Sequence, residues 1–116
     1  MSLTRLSFTS LFGESTDWTR FTWAPFREGV EMARLYGNET GGPSMALLRY
    51  APGAQVPKHL HRGLEHIIVL EGSQQDEGGH HVTGSILVHG PGTTHSVSSA
   101  EGCVVLAIWE RPVELL

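Results

Sequence analysis

Two histidines two residues apart, His59 and His61, are followed by a glutamate, Glu65, at the start of an apolar run. Side chains in an extended strand alternate between its faces, so His59 and His61 project to the same side, where two imidazoles can grip one metal ion. Glu65 opens Ile67-Ile68-Val69-Leu70, a run with the length and β-branched content of a buried strand. A carboxylate at the mouth of such a strand is costly to bury unless it is paired or ligates a cation, and the two imidazoles point to the cation. Only Arg62-Gly63-Leu64 separates the pair from Glu65, which places Glu65 at the start of the neighbouring strand.

The elements that must position these groups read as short strands between turns. Residues Met1 to Phe26 are rich in Ser, Thr and aromatics (Phe8, Phe12, Trp18, Phe21, Trp23, Phe26) and follow neither a helical nor a two-residue period. Val30 to Tyr36 is read as a strand, because the turn cluster Asn38-Glu39-Thr40-Gly41-Gly42-Pro43 returns the chain antiparallel into Met45 to Tyr50. Ser73 to Asp76 leads to a hairpin tip at Glu77-Gly78-Gly79, and Ile86 to Val88 is a compact strand broken by Gly90-Pro91-Gly92. Beside the Gly-rich tip, His80 and His81 read as solvated loop residues. His66 alternates away from Glu65 and reads as outward-facing, and for His89 the pattern gives no direction.

Gly53, His59, His61, Glu65 and Gly72 match the first motif of the cupin superfamily, G-x5-H-x-H-x3-E-x6-G, at every fixed position. An H-x-H pair alone is common on protein surfaces; the flanking Gly, Glu and Gly make this one specific. The stretch from Gly84 resembles the second cupin motif, G-x5-P-x-G-x2-H-x3-N, with Gly84, Gly92 and His95 in place. Gly90 stands where the family usually has proline, which is displaced to Pro91, and Ser99 replaces the terminal asparagine. The resemblance runs from about Val30 to Trp109 and implies an all-β fold, a small antiparallel jelly-roll-like barrel with the metal inside, held by His59, His61, Glu65 and His95. Within the superfamily, Leu47 to Gly53, Val69 to Gly72 and Glu101 to Val104 look most like the ChrR-like group, which includes the cupin half of zinc-binding anti-sigma factors and small stand-alone cupins. With no upstream helical region carrying a His/Cys zinc site, the chain is expected to be a stand-alone cupin.

Composition narrows the classes further. At 116 residues and 40% hydrophobic content the chain can bury one core without disulfides, and its 14 glycines and 6 prolines punctuate short apolar runs as in an all-β domain. We divide it into an aromatic-rich segment, 1–29, that packs on the barrel or on a partner subunit, and a barrel, 30–116. The expected assembly is a homodimer. A net charge of −4 without a Lys/Arg cluster leaves no footprint for nucleic acid or an anionic membrane. No apolar segment is long enough for a signal peptide or a membrane span, and the expected location is the cytoplasm. The single cysteine, Cys103, leads an apolar run and is read as a buried thiol.

Three neutral imidazoles and one carboxylate leave a divalent ion with a net charge of about +1 and one or two open positions. Such donors suit Fe(II), Mn(II), Ni(II), Co(II) and Zn(II) alike. Ile67, Val69 and Val97 share the parity of the ligands and should line the interior, so the expected guest is a small, mostly apolar molecule with an oxygen donor. Arg49, Tyr36, Tyr50, Gln74 and Trp109 could orient it; none is assigned a catalytic role. The first functional expectation is a metal-dependent dioxygenase-type enzyme acting on a small carbonyl or aromatic compound. The alternative is a zinc-binding, ligand-sensing or binding module like the cupin half of ChrR-like anti-sigma factors. A metal-dependent isomerase or lyase would want more polar groups than this lining provides.

Overall fold

The computed structural model describes residues 5–12 and 16–116; residues 1–4 and 13–15 of the aromatic-rich segment lie outside the described residues. Among the described residues ten strands follow one another: β1 (Ala24–Arg27), β2 (Val30–Tyr36), β3 (Ser44–Tyr50), β4 (Ala54–Leu60), β5 (Glu65–Asp76), β6 (Gly79–Val82), β7 (Ile86–His89), β8 (Thr94–Ser99), β9 (Cys103–Trp109) and β10 (Glu114–Leu115). All pairings are antiparallel, in the order β1-β2-β3-β9-β5-β8-β4-β10, with β6 and β7 both on β5. This is the small antiparallel β-barrel of the cupin type. Among the described residues no helix is long and apolar enough to cross a membrane.

The twelve-residue strand β5 holds the barrel together because it serves two layers. Its first part, Glu65 to Gly72, pairs with β9, and its last part, Ser73 to Asp76, pairs with β6 and touches β8 at Gln75 and Ser98. The change of layer occurs around Gly72, whose φ of 75° lies in the left-handed region. Any side chain there would also be blocked, since a Cβ would lie 2.2 Å from the Gly102 carbonyl oxygen. The second fixed glycine of the H-x-H motif is therefore a requirement of the bend.

Alternation along the strands sorts the apolar residues onto two faces. Val30, Met32, Leu48, Tyr50, Val56, Ile67, Val69, Val97, Val105 and Trp109 form the interior, so Ile67, Val69 and Val97 line the barrel as their parity predicts. Ala33, Leu47, Leu70 and Val104 face outward and form a second cluster with Trp18, against which Phe21 and Trp23 pack. The 3-10 turn Trp18–Arg20, capped by Asp17 accepting from the Thr19 amide at 3.0 Å, fixes this cover. Trp18 donates its indole N–H to Glu71 at 3.0 Å and Trp23 donates to the Trp18 carbonyl at 2.8 Å, so both rings bury their faces while their polar edges are satisfied. Phe26 belongs instead to the interior, 6.4 Å from the Trp109 ring centroid.

Candidate metal centre

Strand register brings the site together. In the β4–β8 ladder His59 lies opposite His95, and in the β5–β7 ladder Glu65 lies opposite His89. His61 follows β4, where its backbone bonds to Thr93 and Gly92 at 2.9 and 2.8 Å tie it to the turn after Pro91. His59, His61, Glu65 and His95 are all buried. One donor atom each from His61, Glu65, His89 and His95 falls within a cluster spanning 4.8 Å. His59 stands outside that four-residue cluster, with its ring centroid 4.5 Å from that of His95 and 5.2 Å from that of His61. His89, for which the sequence pattern gave no direction, is thus an inward-facing member of the group.

The outer hydrogen bonds fix which nitrogen each ring presents. His61 Nδ1 lies 3.0 Å from Thr93 Oγ1 and 3.1 Å from the Thr93 carbonyl. Because the Thr93 hydroxyl donates its proton to the Gly90 carbonyl at 2.7 Å, both oxygens can only accept, and Nδ1 must carry the hydrogen. His61 Nε2 then presents a lone pair. It is buried without a hydrogen-bond partner, yet it lies 3.1 Å from Glu65 Oε1. Two acceptors facing each other in a buried site repel, and a cation held between them removes the repulsion. His59 Nδ1 is engaged by the Pro57 carbonyl at 2.9 Å and His95 Nδ1 by Asp76 Oδ2 at 3.1 Å, which leaves their Nε2 atoms for the interior.

Glu65 is oriented just as firmly. Trp109 Nε1 donates to Oε2 at 2.7 Å, while Oε1 faces His61 Nε2, His89 Nδ1 at 2.9 Å and His95 Nε2 at 3.9 Å. Donors arranged about 2.1 Å from one ion lie about 3.0 to 3.4 Å apart in octahedral or tetrahedral shells; the 3.1 Å between His61 Nε2 and Glu65 Oε1 falls in that range, and the 3.9 Å to His95 Nε2 is wider. Burial pushes the Glu65 carboxyl up, but the hydrogen bonds from His89 and Trp109 hold it below the usual range. Burial lowers the His59 and His95 values and so favours the neutral, ligating form. The hydrogen bond to Glu65 raises His89.

Asp76 and His81 join from outside the expected set. Asp76 Oδ1 lies 3.0 Å from His81 Nε2 and accepts from the Gly78 amide at 2.8 Å, while Oδ2 engages His95. His81 therefore pairs with a carboxylate in the β5–β6 hairpin, whereas the sequence reading made it a solvated loop residue. His80 is exposed. Of the candidate orienting residues, Tyr50, Gln74 and Trp109 line the interior beside the histidines, whereas Arg49 pairs with Glu31 at 3.0 Å and lies over Trp23 on the outer face. The interior cavity next to His59, Glu65 and His95 has a volume of about 30 Å³.

The model of the ChrR Cupin-like domain family matches residues 13–113. The chain is 36% identical over 94 residues to the anti-sigma-E factor ChrR of Cereibacter sphaeroides, a match covering 78% of this chain and 43% of that protein. The chain therefore spans less than half the length of that relative. Among solved structures, that of Rhodobacter sphaeroides SigE in complex with the anti-sigma ChrR superimposes with a TM-score of 0.72 at 29% identity, over 80% of this chain and 51% of that one. An acetylacetone dioxygenase from Acinetobacter johnsonii gives a TM-score of 0.74 at 15% identity, over 100% of this chain and 85% of that one, a likeness of fold alone.

Proposed function

This chain belongs to the ChrR cupin-like domain family, and from that premise we propose that it is a metal-holding, ligand-sensing module and not an oxygenase. His59, His61, Glu65 and His95 hold one divalent ion, with His61 Nε2 facing Glu65 Oε1 as the supporting observation. His89 serves this set by holding Glu65 Oε1 in place. When bound, the ion supplies a Lewis-acidic centre of net charge about +1. Zn(II) suits it, because a module that senses and does not oxidise needs no redox metal.

The single observation that separates the two readings is the size of the interior. A cavity of about 30 Å³ beside the ligands has room for no more than a couple of water molecules. A chelating carbonyl compound and O2 lying side by side need far more. The hydrogen-bond partners of the ligand set hold it still: Trp109 and His89 on Glu65, Asp76 on His95, Thr93 on His61 and Pro57 on His59. The 36% identity to an anti-sigma factor supports the same direction, a domain whose state is read by a protein partner.

Elemental analysis of protein purified without added metal, followed by O2 uptake after loading with Fe(II) under nitrogen, tests this reading. We expect zinc as isolated and no uptake above the free-iron blank with β-diketones, aryl ketones or catechols. Accelerated uptake with any of these compounds would replace the sensing module by the oxygenase.

A further inference from the structure

We infer that the cavity at the barrel mouth, beside β1, β2 and residues 112–113, is a binding site for a small organic carboxylate gripped by Arg27 and Arg34. The inference rests on the reading of the domain as a ligand-binding module, and it names the class of ligand and the place where that ligand sits. The cavity has a volume of about 220 Å³ and is separate from the narrow space beside the histidines. Among the described residues the arginine ion pairs are Arg49 with Glu31 and Arg62 with Glu114, so both guanidinium groups at this cavity lack a carboxylate.

Arg27 is the better placed of the two. Its Nη1 donates to the Phe26 carbonyl at 3.0 Å and its guanidinium carbon lies 4.2 Å from the centroid of the Phe26 ring, which holds the group against one wall. Its Nε is buried and has no hydrogen-bond partner. A buried donor without an acceptor is costly, and no protein carboxylate neutralises the group, whose planar N–H fork matches the two oxygens of a carboxylate. Phe26, Trp109 and Val113 supply apolar walls for an organic body. Glu39 at the rim and Glu65 behind the wall work against a dianion, so a singly charged carboxylate fits better than a phosphate.

The site also has a connection to the metal centre. Phe26, Arg27, Trp109 and Val113 line both cavities, and Trp109 is the residue that holds Glu65 Oε2. A carboxylate at Arg27 would share its cavity with the indole whose N–H orients a proposed metal ligand.

Benzoate, its neutral isostere benzamide and inorganic phosphate, each titrated into zinc-loaded and metal-free wild type, provide the test. Calorimetry gives the affinity, and nuclear magnetic resonance of the arginine Nε–H and Trp109 Nε1–H signals gives the location. We expect benzoate to bind at least tenfold more tightly than benzamide or phosphate and to shift both signals. Arg27→Gln and Arg34→Gln should each weaken benzoate at least tenfold with metal content unchanged, and Arg27→Lys should restore only part of the loss. Equal affinity for benzoate and benzamide, equal affinity for phosphate, or no benzoate binding to protein that carries one metal equivalent would overturn the inference. If Arg27→Gln does not fold, the isostere comparison in wild type decides alone. Benzoate bound at Arg27 in a protein that takes up no metal would leave the carboxylate site standing and remove the metal-module reading instead.

Discussion

Trp109 and Glu65 lie opposite each other in the β5–β9 register, and the indole Nε1–H donates to Glu65 Oε2 at 2.7 Å. The bond is buried at both ends, so it fixes which carboxylate oxygen turns toward the histidines. It also makes an interior aromatic, by size a core residue, into a support for the proposed ligand set.

Trp109→Phe keeps most of the ring volume and removes that donor. Loss of such an outer partner lowers metal affinity by roughly 10- to 100-fold. A competition titration with a chromophoric chelator should show the loss while circular dichroism remains that of the wild type.

Asp76→Asn acts on the opposite side of the site. The amide can offer either an oxygen or an N–H to His95 Nδ1, so the ring no longer has one enforced tautomer. Nitrogen chemical shifts of His95 should change from a single Nδ1–H form to a mixture, and metal affinity should fall by about tenfold or more. Asp76→Glu should recover part of both.

How much of this centre could be read from the chain depends on whether local pattern or distant pairing sets each residue's direction. The burial of His59, His61 and Glu65 near one another follows from two-residue alternation and a three-residue connection, while the four-residue donor cluster takes His89 in place of His59. His89 was not legible, because a Gly-rich turn follows it and its direction comes from the register that sets it opposite Glu65 on β5. His81 looked like a loop residue because its partner, Asp76, is a carboxylate on the other side of the hairpin. The strand over Val30–Tyr36 followed from turn chemistry. Trp18, Phe21, Trp23 and Phe26 follow no period because a 3-10 turn and a short strand divide them between the outer cluster and the interior.

Leu47 has no exposed surface and lies in the outer cluster beneath Trp18. Leu47→Ala should destabilise the fold by about 2–5 kcal/mol, and Trp18→Ala by about 3–5 kcal/mol. Urea unfolding monitored by circular dichroism measures both. A change below about 0.5 kcal/mol for Trp18→Ala would mean that the outer cluster is not closed by this ring.

Cys103 is buried, and burial pushes its thiol up to about 11, partly offset by Ser99 and Gln74. The thiolate is the reactive form, so native protein at pH 8 should not react with a thiol-exchange reagent, whereas unfolded protein should react once per chain. A thiol raised in the folded state adds stability that is complete below its ordinary value of 9.0 and is lost as pH rises toward 11. Rapid labelling of native protein at pH 8 would contradict this placement of Cys103.

The central claim is that His59, His61, Glu65 and His95 hold one divalent metal ion. Metal content by mass spectrometry, measured after gel filtration in a weak chelator, tests it most directly across wild type, His61→Ala, His95→Ala and His89→Gln. We predict one equivalent in wild type, less than a tenth of an equivalent in His61→Ala and His95→Ala, and one more weakly held equivalent in His89→Gln. Full occupancy in both His61→Ala and His95→Ala, or no metal in wild type supplied with zinc, would contradict it.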